Sequence, residues 1–224
     1  MKKKLIFTGV SGGLFLLLIV LLKTFDVAAI GPMGTEIGFS ALNGSVHDAL
    51  PMNLFWYDLS EIFGTLALCV CGVFGAMGAV QLVKGRSLLK VDHYILALGV
   101  FYVVVIGCYV LFELIVINYR PVIMPGVEGV EASFPSSHTM LSCCAMGSTV
   151  MVLKRFLSNC AVCMGLQAGC VLVAAVTVAA RMMSGVHWLT DIIGGVLLSC
   201  VLLGLFAFGL EVLSVYTEKR GAHE

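Results

Sequence analysis

The sequence predicts an all-α fold, a six-transmembrane helix bundle carried by a single integral-membrane domain over residues 1–224. Three observations predict it. Hydrophobic residues make up 60% of the chain and charged residues only 12%, with a mean hydropathy of +1.05, a balance outside the range of soluble globular domains. Six apolar runs approach or exceed the roughly 18 residues needed to cross hydrocarbon: 5–22, 59–83, 94–117, 139–153, 160–180 and 192–215. Lysine and arginine are divided unevenly between the segments that join them.

The first run follows Lys2, Lys3 and Lys4, a charged leader that also suits a signal or anchor helix over residues 1–23, with Val27, Ala28 and Ala29 as small residues for cleavage. The connection 24–58 is the longest. It contains GPMG, NGS and the stretch LPMNLFWYDL, whose Trp56 and Tyr57 suit a membrane interface. It reads either as a lid or access route for lipid, or as a solvated loop with a short helix on the surface; His47 and Asp48 show no partner pattern. The second and third runs are long enough to span unaided. The fourth, 139–153, is short and carries Ser142, Ser148 and Thr149, so it spans only if the preceding PSSH opens the helix. It is expected to be a buried member of the bundle. The fifth and sixth runs complete the frame.

With the N-terminus on the cytoplasmic side, Lys2, Lys3, Lys4, Lys84, Arg86, Lys90, Lys154, Arg155, Lys219 and Arg220 are cytoplasmic, and only Lys23, Arg120 and Arg181 face outward. Two of those three outward cations adjoin histidine segments, which points to a chemical reason for their presence. A net charge of zero and the absence of a basic stripe argue against a nucleic-acid partner. The nine cysteines fall almost wholly inside apolar runs and read as small packing residues. Cys160 and Cys163 form a lone CxxC with no second ligand pair, so no metal or other cofactor is expected. No feature specifies an oligomeric state.

Three polar segments share the outer side: NYRP (118–121), FPSSH (134–138) and ARMMSGVHWLTD (180–191). Alone, each cation or carboxylate would be a snorkelling or capping residue. Together they form a phosphate-handling set. Ser136 and Ser137 follow Pro135 and open a helix, offering hydroxyls and backbone N–H groups where an anion is favoured. Arg120 and Arg181 supply permanently charged forks for phosphate oxygens. His187 and Asp191, at i and i+4, put a carboxylate within reach of Nδ1 and leave Nε2 as a nucleophile. His138 would protonate the departing alkoxide and then activate water. The expected course is attack on phosphorus, a phosphohistidine intermediate and hydrolysis.

RP, PSSH and RxxxxxHxxxD, in this order on one side of a six-helix frame, resemble the type 2 phosphatidic acid phosphatase (PAP2) superfamily. The resemblance spans residues 113–191 and implies a PAP2/haloperoxidase-like bundle with its catalytic pocket at the outer membrane face. It implies phosphate binding by Arg120, Ser136, Ser137 and Arg181, a general acid at His138, and a nucleophile at His187 oriented by Asp191. One departure changes charge. Glu113 stands where the family pattern has a lysine, which makes it a candidate modulator that either pairs with an arginine or lies buried about two turns deeper than Arg120 in the third span. Ser137 and Ala180 replace a glycine and a serine, milder changes.

The leading expectation is a metal-independent membrane lipid phosphatase acting on a phosphomonoester or diphosphate of a phospholipid or polyprenyl lipid. A lipid phosphotransferase would use the same intermediate, and a non-catalytic lipid-phosphate-binding membrane protein would need neither histidine. A serine protease reading leaves both arginines unexplained.

Overall fold

A computed structural model describes residues 1–221, with side chains through Val215. Among the described residues there are seven α-helices and no strands. They are α1 (Lys2–Thr24), α2 (Ser40–Ala49), α3 (Leu54–Gly85), α4 (His93–Leu114), α5 (Ser137–Phe156), α6 (Cys160–Met183) and α7 (Leu189–Gly221). Five of them, α1, α3, α4, α6 and the Leu189–Val215 part of α7, are long and apolar enough to cross a membrane.

Polar caps set where several spans begin. Asn53 accepts the Trp56 N–H at 3.3 Å, Asp92 that of Tyr94 at 2.8 Å and Asn159 that of Val162 at 3.1 Å. Each satisfies an N–H that the first helical turn leaves without a partner. Whereas α4 and α6 start at or next to the first residue of their apolar runs, the Asn53 cap lies well ahead of its own, so α3 starts before hydropathy alone suggests. Trp56 and Tyr57 therefore stand in the first turn of α3 rather than on a separate surface helix. The short helix of the long connection is α2, upstream of them.

The helix α5 sits among the others. At 20 residues it is about 30 Å long, and Ser142, Ser148 and Thr149 are all buried. In an apolar bundle such groups must find partners within the protein. Ser142 donates to Thr177 Oγ1 of α6 at 3.1 Å, Tyr102 of α4 and Ser148 share a bond of 3.3 Å, and Thr149 donates back to Ala145 O at 2.7 Å. From α7, Ser199 reaches Met140 O at 3.3 Å. The polarity that shortens the fourth apolar run is what fastens α5 to its neighbours.

The main core gathers Phe15 and Leu22 of α1, Phe74 of α3, Leu98 and Phe101 of α4, Met140 of α5 and Leu202 and Phe206 of α7. Phe134, just ahead of PSSH, is inserted into it. Its ring stacks on Phe15 at 5.9 Å and meets Phe112 edge-on at 6.1 Å. α1 runs along α7, and its first residues are tied there by Met1 N and Lys4 Nζ to Glu211 at 2.7 and 2.9 Å. Arg155 pairs with Asp92 at 3.1 Å. The side chains of Lys219 and Arg220 lie outside the described residues.

The third span ends earlier than its apolar run. α4 stops at Leu114, and the chain turns into a loop that doubles back on itself, with Arg120 N–H donating to Glu131 O at 3.0 Å and Ser133 N–H to Asn118 O at 2.9 Å. Arg120 is therefore a loop residue. Glu113 lies in the last turn of α4, not two turns deeper on a shared helix, and it is exposed rather than buried.

A methyl group at Gly194 in α7 would overlap the Phe134 ring, so helix and loop meet there because glycine leaves room. Gly194→Ala is expected to lower stability by about 1–3 kcal/mol, read as thermal melting in detergent. Gly209→Ala, where nothing lies within 4 Å, is the comparison and should melt as the parent does.

Candidate active site

At the start of α7 the chain makes a turn at Ser184-Gly185. Gly185 has φ +67, and a Cβ there would sit 2.6 Å from Leu50 O, so a side chain would be strained and would strike the segment leading into α3. The turn brings His187 to the mouth of the helix. Asp191, completely buried, accepts the Trp188 N–H on Oδ2 at 3.0 Å, closing the first turn in the manner of a capping box. Its Oδ1 accepts from Asn118 Nδ2 at 3.1 Å. Its backbone carbonyl accepts the Ser136 N–H at 3.0 Å. One residue thus holds the NYRP, PSSH and HxxxD segments together.

His187 Nδ1 lies 3.6 Å from Asp191 Oδ2, an ion-pair distance rather than a tight hydrogen bond. Nε2 has no hydrogen-bond partner among the described residues. Burial pushes the imidazole down to about 4, with the charges of Arg120 and Arg181 acting in the same direction and Asp191 opposing them. The ring is neutral near pH 7. With the proton on Nδ1, the nitrogen nearer Asp191, the lone pair stands at Nε2.

His187 shares a cavity of about 20 Å³ with Glu113, Arg120, Ser137 and Pro135, room for a water-sized group. Arg120 Nε lies 3.4 Å from Glu131 Oε2, yet Nε and Nη1 are buried without a hydrogen-bond acceptor. Arg181 is 1% exposed, and its Nε and Nη1 are likewise buried and unpaired. Its guanidinium lies over Tyr57 at 5.0 Å, a cation–π contact. Buried guanidinium N–H groups without acceptors are expensive. Two such groups beside a neutral histidine make a site for a ligand rich in acceptor oxygens.

His138, in the first turn of α5, is held from both sides. Arg181 Nη2 donates to its Nδ1, and its Nε2 meets Glu61 Oε2 at 3.1 Å. Arg181 Nη2 also donates to Glu61 Oε1 at 2.8 Å. Both arginines bear on both histidines electrostatically.

The expected residues converge, with two differences. The Ser136 N–H is committed to Asp191, so only the Oγ of Ser136, buried and unpaired, remains to meet a ligand. Glu113 makes no ion pair with an arginine among the described residues; Arg120 takes Glu131 instead. Sequence reasoning passed over Glu61 and Glu131, took Tyr57 for a membrane-interface residue and gave Asn118 no role of its own within NYRP. For Glu61 a signal existed, since it is the one charged residue in the run 59–83, and an ionisable group inside a span usually has a function. No spacing marks Asn118, which acts through a fold-back that only the structure reveals.

A model of the PAP2 superfamily matches residues 54–210. A solved structure of a transmembrane PAP2 type phosphatidylglycerolphosphate phosphatase from Bacillus subtilis is similar in fold, at a TM-score of 0.63 and 21% identity over 91% of this chain and 96% of that one. Comparison with curated proteins gave no match.

The His187 environment has a consequence for stability. Its imidazole is lowered from 6.5 to about 4 in the folded state, so the unfolded chain binds the proton more tightly. The stabilisation is complete above about 6.5 and is lost as pH falls through about 4. The loss is at most roughly 3 kcal/mol. Thermal melting should fall between about pH 7 and pH 4, and less so in His187→Gln; equal falls in both would remove His187 as the cause.

Proposed function

Since the chain belongs to the PAP2 superfamily, we propose that it is a membrane lipid phosphatase that removes phosphate from a phosphomonoester or diphosphate of a phospholipid or polyprenyl lipid. The observation that carries this reading is the pair of arginines, Arg120 and Arg181, whose Nε and Nη1 groups are buried and unpaired, beside a neutral, unbonded His187 Nε2. A phosphoryl group supplies the missing acceptors and the electrophile at once. Five apolar helices around the site favour a substrate with an acyl or prenyl tail.

In the proposed course, Arg120 and Arg181 hold the non-bridging oxygens, helped by Ser136 Oγ and the Ser137 backbone at the start of α5. His187 Nε2 attacks phosphorus in line with the departing oxygen. The P–O bond breaks as the N–P bond forms, and His138 gives its proton to the leaving alkoxide. His138 then takes a proton from water, whose oxygen attacks phosphorus and releases His187. Asp191 keeps the proton of His187 on Nδ1 throughout. The arginines stabilise the equatorial charge of the transition state, so the course uses no metal. The lysine and arginine distribution supports a cytoplasmic N-terminus and a site opening on the outer face.

Glu113 lines the same cavity as Arg120 and His187 and adds a negative charge where phosphate is to sit. It disfavours a dianion. The site is therefore tuned toward a less charged phosphate or a headgroup that brings its own positive charge.

Two outcomes test the reading. Purified protein in detergent should release inorganic phosphate from a panel of lipid phosphates, and His187→Ala should lower that release by at least about 10³-fold while melting normally. Undiminished release by a folded His187→Ala would remove the phosphohistidine course. Glu113→Lys should lower KM for anionic lipid phosphates by about 5-fold, worth ~1 kcal/mol; an unchanged KM would place Glu113 outside the substrate's reach.

A further inference from the structure

The motif residues account for His187, which has Asp191 as its carboxylate. His138 has a carboxylate too, on a helix that the motifs do not include. Glu61 lies about 10 Å along α3 from its first residue and meets His138 Nε2 at 3.1 Å. α3 is shaped for this contact. A Cβ at Gly64, one turn beyond Glu61, would sit 2.9 Å from His138 Cδ2, so only glycine lets the ring lie against the helix in this place.

The hydrogen bonds fix the tautomer. A guanidinium has donors and no acceptor, so the contact from Arg181 Nη2 requires a bare lone pair at His138 Nδ1. The proton then resides on Nε2 and is donated to Glu61. In this state His138 is neutral and both its nitrogens are occupied. It has no proton to give a leaving group until Arg181 moves off Nδ1.

We infer that Glu61 is the positioning residue of His138, forming a second carboxylate–imidazole pair that is engaged when the substrate's phosphate draws Arg181 away from Nδ1. The inference rests on the phosphatase reading above. Glu61 keeps one proton on Nε2. The exposed Nδ1 takes the acidic proton of the monoester monoanion, giving an imidazolium whose charge Glu61 balances. As the N–P bond forms at His187 and the P–O bond breaks, the Nδ1 proton passes to the departing alkoxide, and the alcohol leaves. His138 returns neutral with its Nε2 proton in place, ready to accept a proton from water at Nδ1. Arg181 thus has two positions, capping Nδ1 when the site is empty and holding phosphate when it is filled. The charged groups that bear on His138 are Glu61 from α3, Arg181 from α6 and Arg120 from the loop after α4.

The test compares two monoesters of matched chain length, an alkyl phosphate, whose leaving oxygen needs a proton, and a nitrophenyl phosphate, whose leaving oxygen does not. In Glu61→Gln, kcat on the alkyl ester should fall about 10- to 100-fold, while on the nitrophenyl ester it should fall less than about 3-fold. KM should not rise, because Arg181 loses a competitor for phosphate. The alkaline limb of the kcat profile should move about one unit to lower pH, since the imidazolium has lost its counter-charge. Glu61→Asp should recover part of the alkyl-ester rate. Equal losses on both esters with an unmoved limb would overturn the inference. If Glu61→Gln does not fold, Glu61→Asp carries the same comparison, and equal effects on both esters overturn it as well. His187→Ala separates this from the wider reading: it should be inactive on both esters, and activity there would defeat the phosphatase course itself, whatever Glu61 does.

Discussion

The buried carboxylate of Asp191 is the constraint on which the rest of the structure depends. It is wholly enclosed, and a charge in that position is tolerated only when its oxygens are satisfied. The Trp188 N–H at 3.0 Å and the Asn118 amide at 3.1 Å supply that satisfaction, with His187 Nδ1 at 3.6 Å. The carbonyl of the same residue takes the Ser136 N–H at 3.0 Å. Segments far apart in the chain are therefore held by one residue. Removing any of these donors leaves buried polarity uncompensated, so the geometry of the site and the integrity of the outer end of the bundle are the same problem.

Around that anchor the charges oppose one another in a way that suits a transient anion. Arg181 is shared between Glu61 and His138, and Arg120 leans toward Glu131, yet each keeps buried N–H groups with no acceptor. Glu61 and Glu131 hold these arginines in place, and on the phosphatase reading proposed above a phosphate would partly displace those carboxylates. Such an arrangement gives up some ground-state binding in exchange for arginines already in position. The two histidines differ in setting. His187 is sealed beside Asp191 and stays neutral with Nε2 free, while His138 is half-buried between a cation and an anion, where small displacements change which nitrogen can carry a proton.

Hydropathy located the spans to within a few residues because lipid-facing helices need little beyond length and apolar surface. It overran at 115–117, which are apolar but belong to the loop carrying Arg120. Their place is set by the fold-back on Glu131 and Ser133, a long-range pairing that hydropathy does not encode. The motif residues His138, Arg181, His187 and Asp191 were legible because chemistry restricts which residue types fit and their spacing is local. Glu113 was legible as an anomaly, but its position was not, since that depends on where α4 ends. Glu61 and Asn118 act across helices and bear no fixed spacing to the residues they serve; only Glu61 left a trace, as a lone charge in an apolar run. The same holds for Phe134, whose insertion between α1 and α4 fixes the PSSH segment without any pattern of its own.

Transfer of the phosphoryl group to His187 Nε2, as proposed above, is read by trapping the N–P bond. The purified protein would be mixed with a labelled lipid phosphate, quenched within milliseconds at alkaline pH, where phosphohistidine survives, and digested for mass spectrometry. The account predicts one phosphorylated peptide, with the phosphate on His187. Turnover with no phosphopeptide at any quench time, or phosphate on His138 or Ser136 in place of His187, would contradict it.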